Sequence, residues 1–462
     1  MKLTFLILFT LFSLDLFAKK SKKDQIYEKS YEQYRTLNFY SALNTIAEMY
    51  KFQTPDPNTR NYLENLVQHT GTHYFNTYSD LELRKMNIPT TDLIMAKRNL
   101  YLRKFKYVHK RLKRMPKGHR LFAESVMVRA TAYYLDNKYE KAVKQFNKCA
   151  EVAKEWEEKN DDKIKKYFAV IKESCIIDIA RIYFKLGDFE KAIRHYEDIP
   201  KTSIKWPYIL LEKAWSYYYL GKHNRSLGIL ITYDSPLLAS YFMPEAEVLK
   251  AMNYYQMCLY EDALFVIENY YKTYKPRSNK LKEVLSSKGK QKFFYYDLMF
   301  KPIKESEQES AFLRNLITQM SKRIKYNLDL NALYEINKEI FRNHKNANMK
   351  MLLSMQGDLK EQINHYVKVS MFKFVNEIHQ HSESMFNLKL EVLSKQRDLV
   401  YKSKDLTANR SRGDESNIDK EKYQEFWTFE NSFWADELGD YTFALESNCK
   451  VKGLKGFRRW KL

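Results

Sequence analysis

The sequence predicts an all-α protein: a solenoid of repeated helix hairpins, then a long-helix bundle and a short aromatic C-terminal segment. Three observations predict it. Four segments in the middle of the chain share one register of small and aromatic residues. Glycine and proline are sparse, 11 and 10 in 462 residues, whereas a β-sandwich or barrel of this length spends many more on turns. A long C-terminal stretch carries one apolar stripe at helical spacing.

The chain opens with a segment read as a secretory signal over 1–18. Lys2 precedes an apolar run from Leu3 to Leu14, and Ala18 precedes Lys19 and Lys20. The run is short for a membrane span, and no Cys follows it for lipid attachment. The expected compartment is the periplasm or envelope of a Gram-negative bacterium, with a retained anchor as the alternative to cleavage. Export changes how the net charge of +22 is read. In an envelope it points to an anionic membrane, a cell-wall surface or an acidic protein partner. The plain alternative is a solvated, Lys-rich surface.

The next division is 24–276. The segments AYYLDNKYEKAV, IYFKLGDFEKAI, SYYYLGKHNRSL and NYYQMCLYEDAL carry the shared register. A small residue sits at Ala130, Ala180, Ala214 and Ala251, and a Tyr follows at Tyr133, Tyr183, Tyr217 and Tyr254. Twelve residues after the first small residue comes a second, at Ala142, Ala192, Ser226 and Ala263. Before that second residue stands a ring, at Tyr139, Phe189, His223 and Tyr260. Two helices joined by a tight turn approach closely only where both are small, and the rings fill the space around that contact. Weaker copies pair Ser30 with Ala42 and Ala96 with Val108. Pro207 and Pro244 suit first helical turns. The charged insertion EWEEKNDDKIKKY is expected to lengthen the helices beside it.

This register resembles the tetratricopeptide repeat, a helix-turn-helix unit that stacks into a solenoid. The resemblance implies a concave face lined by the residues one and four after the first small position. Here these include Tyr134, Arg181, Phe184, Trp215, Tyr218 and Tyr255, with Thr131 and Met252. An aromatic face of this kind fits a hydrophobic or extended peptide, so the expected partners are envelope proteins or peptides held in the groove. The other reading is that these rings pack against the insertion or against the C-terminal part of the chain.

From Pro276 the register stops, and SNKLKEVLSSKGKQK reads as a polar break. A helical hairpin or bundle is expected over 277–408, with helices at 303–323, 328–345 and 348–408, and it offers a possible oligomer interface. Residues 409–424 read as a linker. The segment 425–462 crowds Trp427, Phe429, Phe433, Trp434 and Tyr441 together. Such rings do not stay in solvent. Trp427, Phe429, Trp434 and Tyr441 are therefore expected to dock, on their own chain or on a partner. TFALESNC alternates as a short strand would. WTFENSFWADELGDY resembles the ending of exported tetratricopeptide proteins of gliding and predatory bacteria, notably the adventurous gliding-motility group of myxobacteria. That resemblance implies a structural role in a multiprotein envelope machine and no catalytic residues.

Between Asp92 and Glu124 there are eleven basic residues and no acidic one. Arg103, Lys106, Lys110, Lys113 and Lys117 step by three or four, the spacing of one helix face, opposite Phe105, Val108, Leu112 and Met115. An anionic surface or plain solvent suits that face. A second basic cluster closes the chain: Lys450, Lys452, Lys455, Arg458, Arg459 and Lys461, beside Trp460. Cys149, Cys175, Cys258 and Cys449 lack CxxC spacing, so buried thiols are expected, with Cys149 and Cys175 the one pair placed for a bridge. No HExxH, GxSxG, P-loop or GxGxxG is present. The expected protein is a non-enzymatic scaffold with no cofactor, no metal and no nucleic acid. The alternative is a cell-wall glycan-binding protein or hydrolase activator.

Overall fold

The computed structural model describes residues 21–50, 54–300, 307–342 and 348–401, and beyond them residues 414, 418, 420, 422, 424–430 and 432–449. The signal segment at 1–18, much of the linker at 409–424 and the basic cluster from Lys450 to Lys461 lie outside the described residues. Among the described residues the regular structure is helical, with no strand. No described helix is long and apolar enough to cross a membrane.

The helices are α1 (Lys22–Arg35), α2 (Phe39–Tyr50), α3 (Pro57–Thr70), α4 (Asp80–Met86), α5 (Pro89–Tyr101), α6 (Phe105–Leu112) and α7 (Phe122–Leu135). They continue as α8 (Tyr139–Lys159), α9 (Asp162–Leu186), α10 (Phe189–Glu197), α11 (Trp206–Tyr219), α12 (His223–Ile231) and α13 (Pro244–Gln256). The last are α14 (Tyr260–Lys288), α15 (Phe294–Asp297), α16 (Glu307–Ser321), α17 (Ile324–Arg342) and α18 (Met349–Tyr401). The chain divides into two compact units: Met1–Asp136 with Leu328–Lys360, and Asn137–Asn327 with Glu361–Leu462. These boundaries cross the divisions read from the sequence at 276 and 408.

The repeat register is physical. Ser30, Ala96, Ala130, Ala180, Ala214 and Ala251 are all fully buried, as are Ala42, Val108, Ala142, Ala192, Ser226 and Ala263. Where one of a pair is serine, its hydroxyl donates to the partner's carbonyl: Ser30 to Ala42 at 2.8 Å and Ser226 to Ala214 at 3.0 Å. The ring before the second small residue is the first residue of its helix in each repeat: Phe39, Phe105, Tyr139, Phe189, His223 and Tyr260. Two residues earlier the backbone turns left-handed, at Leu37, Arg103, Asn137, Gly187, Gly221 and Cys258. Glycine takes that conformation freely; the other four pay for it in backbone strain.

In the first unit, Leu43, Ile46, Tyr50, Leu63, Leu66, Phe75, Leu83 and Met86 form a core against which Met355 packs. Glu339 caps α2 from a distant helix. Its buried carboxylate accepts the Tyr40 and Ser41 amides at 3.0 and 2.9 Å, satisfying donors a helix start leaves open. In the second unit the charged insertion lengthens α8 and α9 into a long antiparallel pair, as expected.

Three expectations are corrected. The stretch after Pro276 is not a break: α14 continues to Lys288, because Leu281, Val284 and Leu285 give it a buried face that outweighs one missing amide. TFALESNC is extended but not a strand, since its backbone pairs with a side chain and a helix turn rather than another strand. The cysteines are not buried thiols. Cys149 bonds Cys175 across α8 and α9, and Cys258 bonds Cys449.

Candidate functional site

Of the groove residues, Trp215 and Tyr218 are buried, Phe184 and Tyr255 are half-buried, and Arg181 is exposed but ion-paired. Arg181 on α9 lies against Glu212 on α11, with nitrogen–oxygen distances of 2.7 and 2.9 Å, and against Asp178 at 3.3 Å. The Tyr196 hydroxyl donates to the same Glu212 at 2.9 Å. Trp215 is only 8% exposed, and its indole N–H donates to Glu245 at 2.8 Å. Burial raises the Glu245 carboxyl, and that indole hydrogen bond partly offsets the rise. Tyr218 is buried, accepts from Gln256 at 3.2 Å, and is pushed up to about 12 by burial. Phe184 packs edge-on to Tyr219 at 5.7 Å.

The long helix α18 explains the crowding. Its Met385, Leu388 and Val392 form one cluster with Val248, Ala251, Ala263, Val266, Ile267 and Tyr270 of α13 and α14. Tyr270 and Tyr271 donate to the carbonyls of Ile378 and Ser382 at 3.0 and 2.7 Å. Burial, and next the Glu391 carboxylate, push Tyr255 up to about 12. So α18 lies where the groove of the last repeat would take a ligand. Tyr134, half-buried at the end of α7, belongs to the first unit. Thr131 donates to the Met127 carbonyl at 3.0 Å, and Met252 packs into the clusters around α11 and α14.

The C-terminal segment docks on its own chain, along α11, α12 and the α13–α14 turn. Leu438 is buried among Trp206, Leu210, Leu211, Leu230 and Leu238, a burial worth about 2 kcal/mol. Gly439 has φ +86°, and a Cβ there would stand 2.9 Å from Leu210. Its amide donates to the Thr232 hydroxyl at 3.0 Å. Lys201 reaches the Asp436 carbonyl and pairs with Asp440 at 2.8 Å. Gly228 on α12 lets the backbone pass, for a Cβ there would lie 2.0 Å from the Tyr441 carbonyl oxygen.

Beyond that crossing, α12 holds the segment as an extended peptide. Phe443 donates its amide to the Asn224 carbonyl at 3.1 Å. The Asn224 side chain accepts the Leu445 amide at 3.2 Å and donates to the Leu445 carbonyl at 3.1 Å. Asn448 donates to the Met257 carbonyl at 2.9 Å, and the Cys258–Cys449 disulfide closes the attachment one residue on. Sequence reasoning placed the rings of this segment but missed Asn224, Gly228, Thr232 and Lys201. A glycine inside a regular helix, Gly228, was the one available signal.

Docking does not bury the rings equally. Phe429, Phe433 and Tyr441 pack together, with centroids 5.3 to 5.8 Å apart. Trp427 stays 76% exposed, Trp434 64% and Phe429 42%. Residues 425–440 carry Glu425, Glu430, Asp436, Glu437 and Asp440 and no basic residue. The docked segment thus presents an aromatic, acidic surface on a chain that is otherwise strongly basic.

The basic face is shorter as a helix than its spacing suggests. α6 ends at Leu112, so Lys113 is its cap and Lys117 lies in the turn beyond Pro116. Proline disfavours helix in the residue before it. Arg103 precedes the helix, in the left-handed turn. Arg103, Lys106, Lys110, Lys113 and Lys117 are nonetheless all exposed, while Val108, Leu112 and Met115 are buried and Phe105 is half-buried. Among the described residues no group of His, Cys, Asp and Glu is arranged to hold a metal.

No protein-family model matches the chain, and no curated protein matches it. Among solved structures it is similar to the Rap conjugation gene regulator of the plasmid pLS20 in complex with the Phr* peptide, at 13% identity and a TM-score of 0.29, covering 74% of this chain and 96% of that one. It is also similar to the apo form of RapI, at 11% identity and a TM-score of 0.22, covering 75% of this chain and 99% of that one. Both superpositions are weak and assign no function.

Proposed function

We propose that the protein is a non-enzymatic, exported helical-repeat scaffold that binds other proteins in a bacterial envelope, through the surface its docked C-terminal segment presents. The observation that carries this is the docking itself. A disulfide, an asparagine clamp and a buried leucine fix the segment, yet Trp427 and Trp434 remain in solvent. Large rings on a docked segment that are left uncovered mark a binding surface. The repeat groove, which the sequence offered as the partner site, is filled by α18 in the last repeat, so the weight moves to the tail. Export is supported by the cysteines: all four are paired in disulfides, the state an oxidising compartment maintains. A place in a gliding-motility machine is the finer reading that the tail's resemblance implies.

The test is in-cell crosslinking of the tagged chain, with fractionation, in wild type and in a Trp427→Ala/Trp434→Ala variant. The expected result is crosslinks to envelope proteins in wild type and their loss in the variant, with secondary structure unchanged. Cytoplasmic retention, or crosslinks indifferent to both tryptophans, would overturn the reading. Exposed tryptophans beside carboxylates also suit stacking on a sugar ring, so binding to soluble cell-wall glycan would favour the glycan-binding alternative.

A further inference from the structure

We infer that the aromatic, acidic surface of the docked segment binds the basic face around α6 of a second copy of this chain, in a head-to-tail contact. The inference rests on the proposed function and names the partner for that same surface. Two surfaces carry it, one on each compact unit, and each has what the other lacks.

The first is the tail. Glu425, Glu430, Asp436 and Asp440 are exposed there, beside the exposed rings of Trp427, Phe429 and Trp434. Lys201 answers only Asp440 by an ion pair, and Arg225 sits over Phe426. The second is the stretch from Tyr101 to Lys117. Arg103, Lys104, Lys106, Lys110, Lys113 and Lys117 are exposed there and form no ion pair among the described residues. The basic residues nearby that do have partners are different ones: Arg98 with Asp80, Arg111 with Asp92, and Lys97 with Glu124.

Charge alone would fit many anions. The apolar pattern narrows the choice. Tyr101 is 89% exposed, and Leu102 and Tyr107 stand open among the lysines and arginines. A free phosphate makes no contact that needs these side chains. A surface of tryptophan and phenylalanine rimmed by carboxylates covers them, and its rings accept the ammonium and guanidinium groups face-on. Tyr101 and Leu102 directly precede the left-handed turn at Arg103. Because the two surfaces differ, the contact is heterologous, and a pair of copies keeps one free surface of each kind.

The experiment is sedimentation velocity on the full chain with both disulfides intact. Wild type is expected to associate as concentration rises, and raised salt to weaken the association. Lys106→Glu/Lys110→Glu/Lys113→Glu and Trp427→Ala/Trp434→Ala are each expected to weaken self-association roughly tenfold or more. All these side chains are exposed, so folding is expected to survive; circular dichroism checks it. The decisive step mixes the two variants. One still has its tail and the other its basic face, so the mixture is expected to form a 1:1 dimer that grows no further. A wild type that stays monomeric, or a mixture of folded variants that stays monomeric, would overturn the inference. So would crosslinks between the two surfaces that arise within single chains in a light and heavy isotope mixture. Envelope crosslinks that persist while self-association is absent would leave the scaffold standing and remove this contact alone.

Discussion

Gly228 shows how far one atom decides the docking. It sits inside α12, where alanine is the better residue by about 1 kcal/mol. Yet a methyl group there would stand 2.0 Å from the Tyr441 carbonyl oxygen and 2.5 Å from the Thr442 Cα. The contact is with backbone, which has no rotamer to yield. Gly228→Ala is therefore expected to act in two directions: α12 holds or gains stability, while residues 441–449 are lifted from it. Hydrogen exchange read along the chain checks this. The Phe443 and Leu445 amides, held by Asn224 in wild type, should exchange faster in the variant, with no loss of protection in α12. Equal protection of both amides in the two proteins would show that the crossing at Gly228 does not hold the segment. Residue types of this kind are the least legible in a sequence. Asn224 on α12 and Thr232 just past its end are ordinary polar residues in the sequence until another segment lies across them. By contrast the small residues at Ala180, Ala192, Ala214 and Ser226 announce their burial, because repetition at a fixed offset has no cause but packing.

The helices show the same contrast one scale up. Hairpins from α5 to α14 follow from the register, and the single stripe of Leu359, Ile363, Phe374, Ile378, Met385, Leu388 and Val392 announces α18. What the stripe does not say is which surface it covers. That α18 fills the groove of the last repeat depends on the chain's return path, and no local pattern encodes it. The junction of α9 with α11 gives an element-scale prediction. Lys205, before α11, reaches into α9: its ammonium donates to the Val170 carbonyl at 2.9 Å and bonds the Ser174 hydroxyl. Burial pushes its pKa down to about 8, against the pull of Glu173 and Asp178. In the unfolded chain the same group holds its proton up to about pH 10.4. Between about pH 8 and pH 10 the unfolded state therefore binds more protons, and stability should rise with pH through this group. Above pH 10 the sign reverses. Tyr62, Tyr218, Tyr255 and Tyr270, each pushed up to about 12 by burial, stay protonated in the folded chain and ionise in the unfolded one. Denaturant melts across this range should show the rise in wild type and a flatter curve in Lys205→Met, with the fall above pH 10 kept in both. A rise of equal slope in the variant would place its origin elsewhere.

At the scale of the whole molecule, the two disulfides do different work, and their surroundings say which is which. Cys149 and Cys175 are fully buried between α8 and α9, 26 residues apart, so they tie together helices that already pack along their length. Cys258 and Cys449 are 191 residues apart. Cys449 is exposed, and Cys258 occupies the strained left-handed turn where two other repeats have glycine. In the chain-entropy picture the longer loop restrains the unfolded chain more, by on the order of 1 to 2 kcal/mol over the shorter one. Exposure sets the order of opening, since a thiolate must reach a sulfur to attack it. A mild dithiol under native conditions is expected to open Cys258–Cys449 first. Alkylation followed by mass spectrometry would then find two labelled cysteines, at 258 and 449, before any at 149 or 175. Hydrogen exchange in that state should show residues 441–449 losing protection while Gly439 keeps its own, since Leu438 and Thr232 anchor that part without the disulfide. Simultaneous labelling of all four cysteines would mean that the segment opens only with global unfolding. In that case residues 441–449 are a fixed part of the fold rather than a segment that the Cys258–Cys449 bond keeps in place.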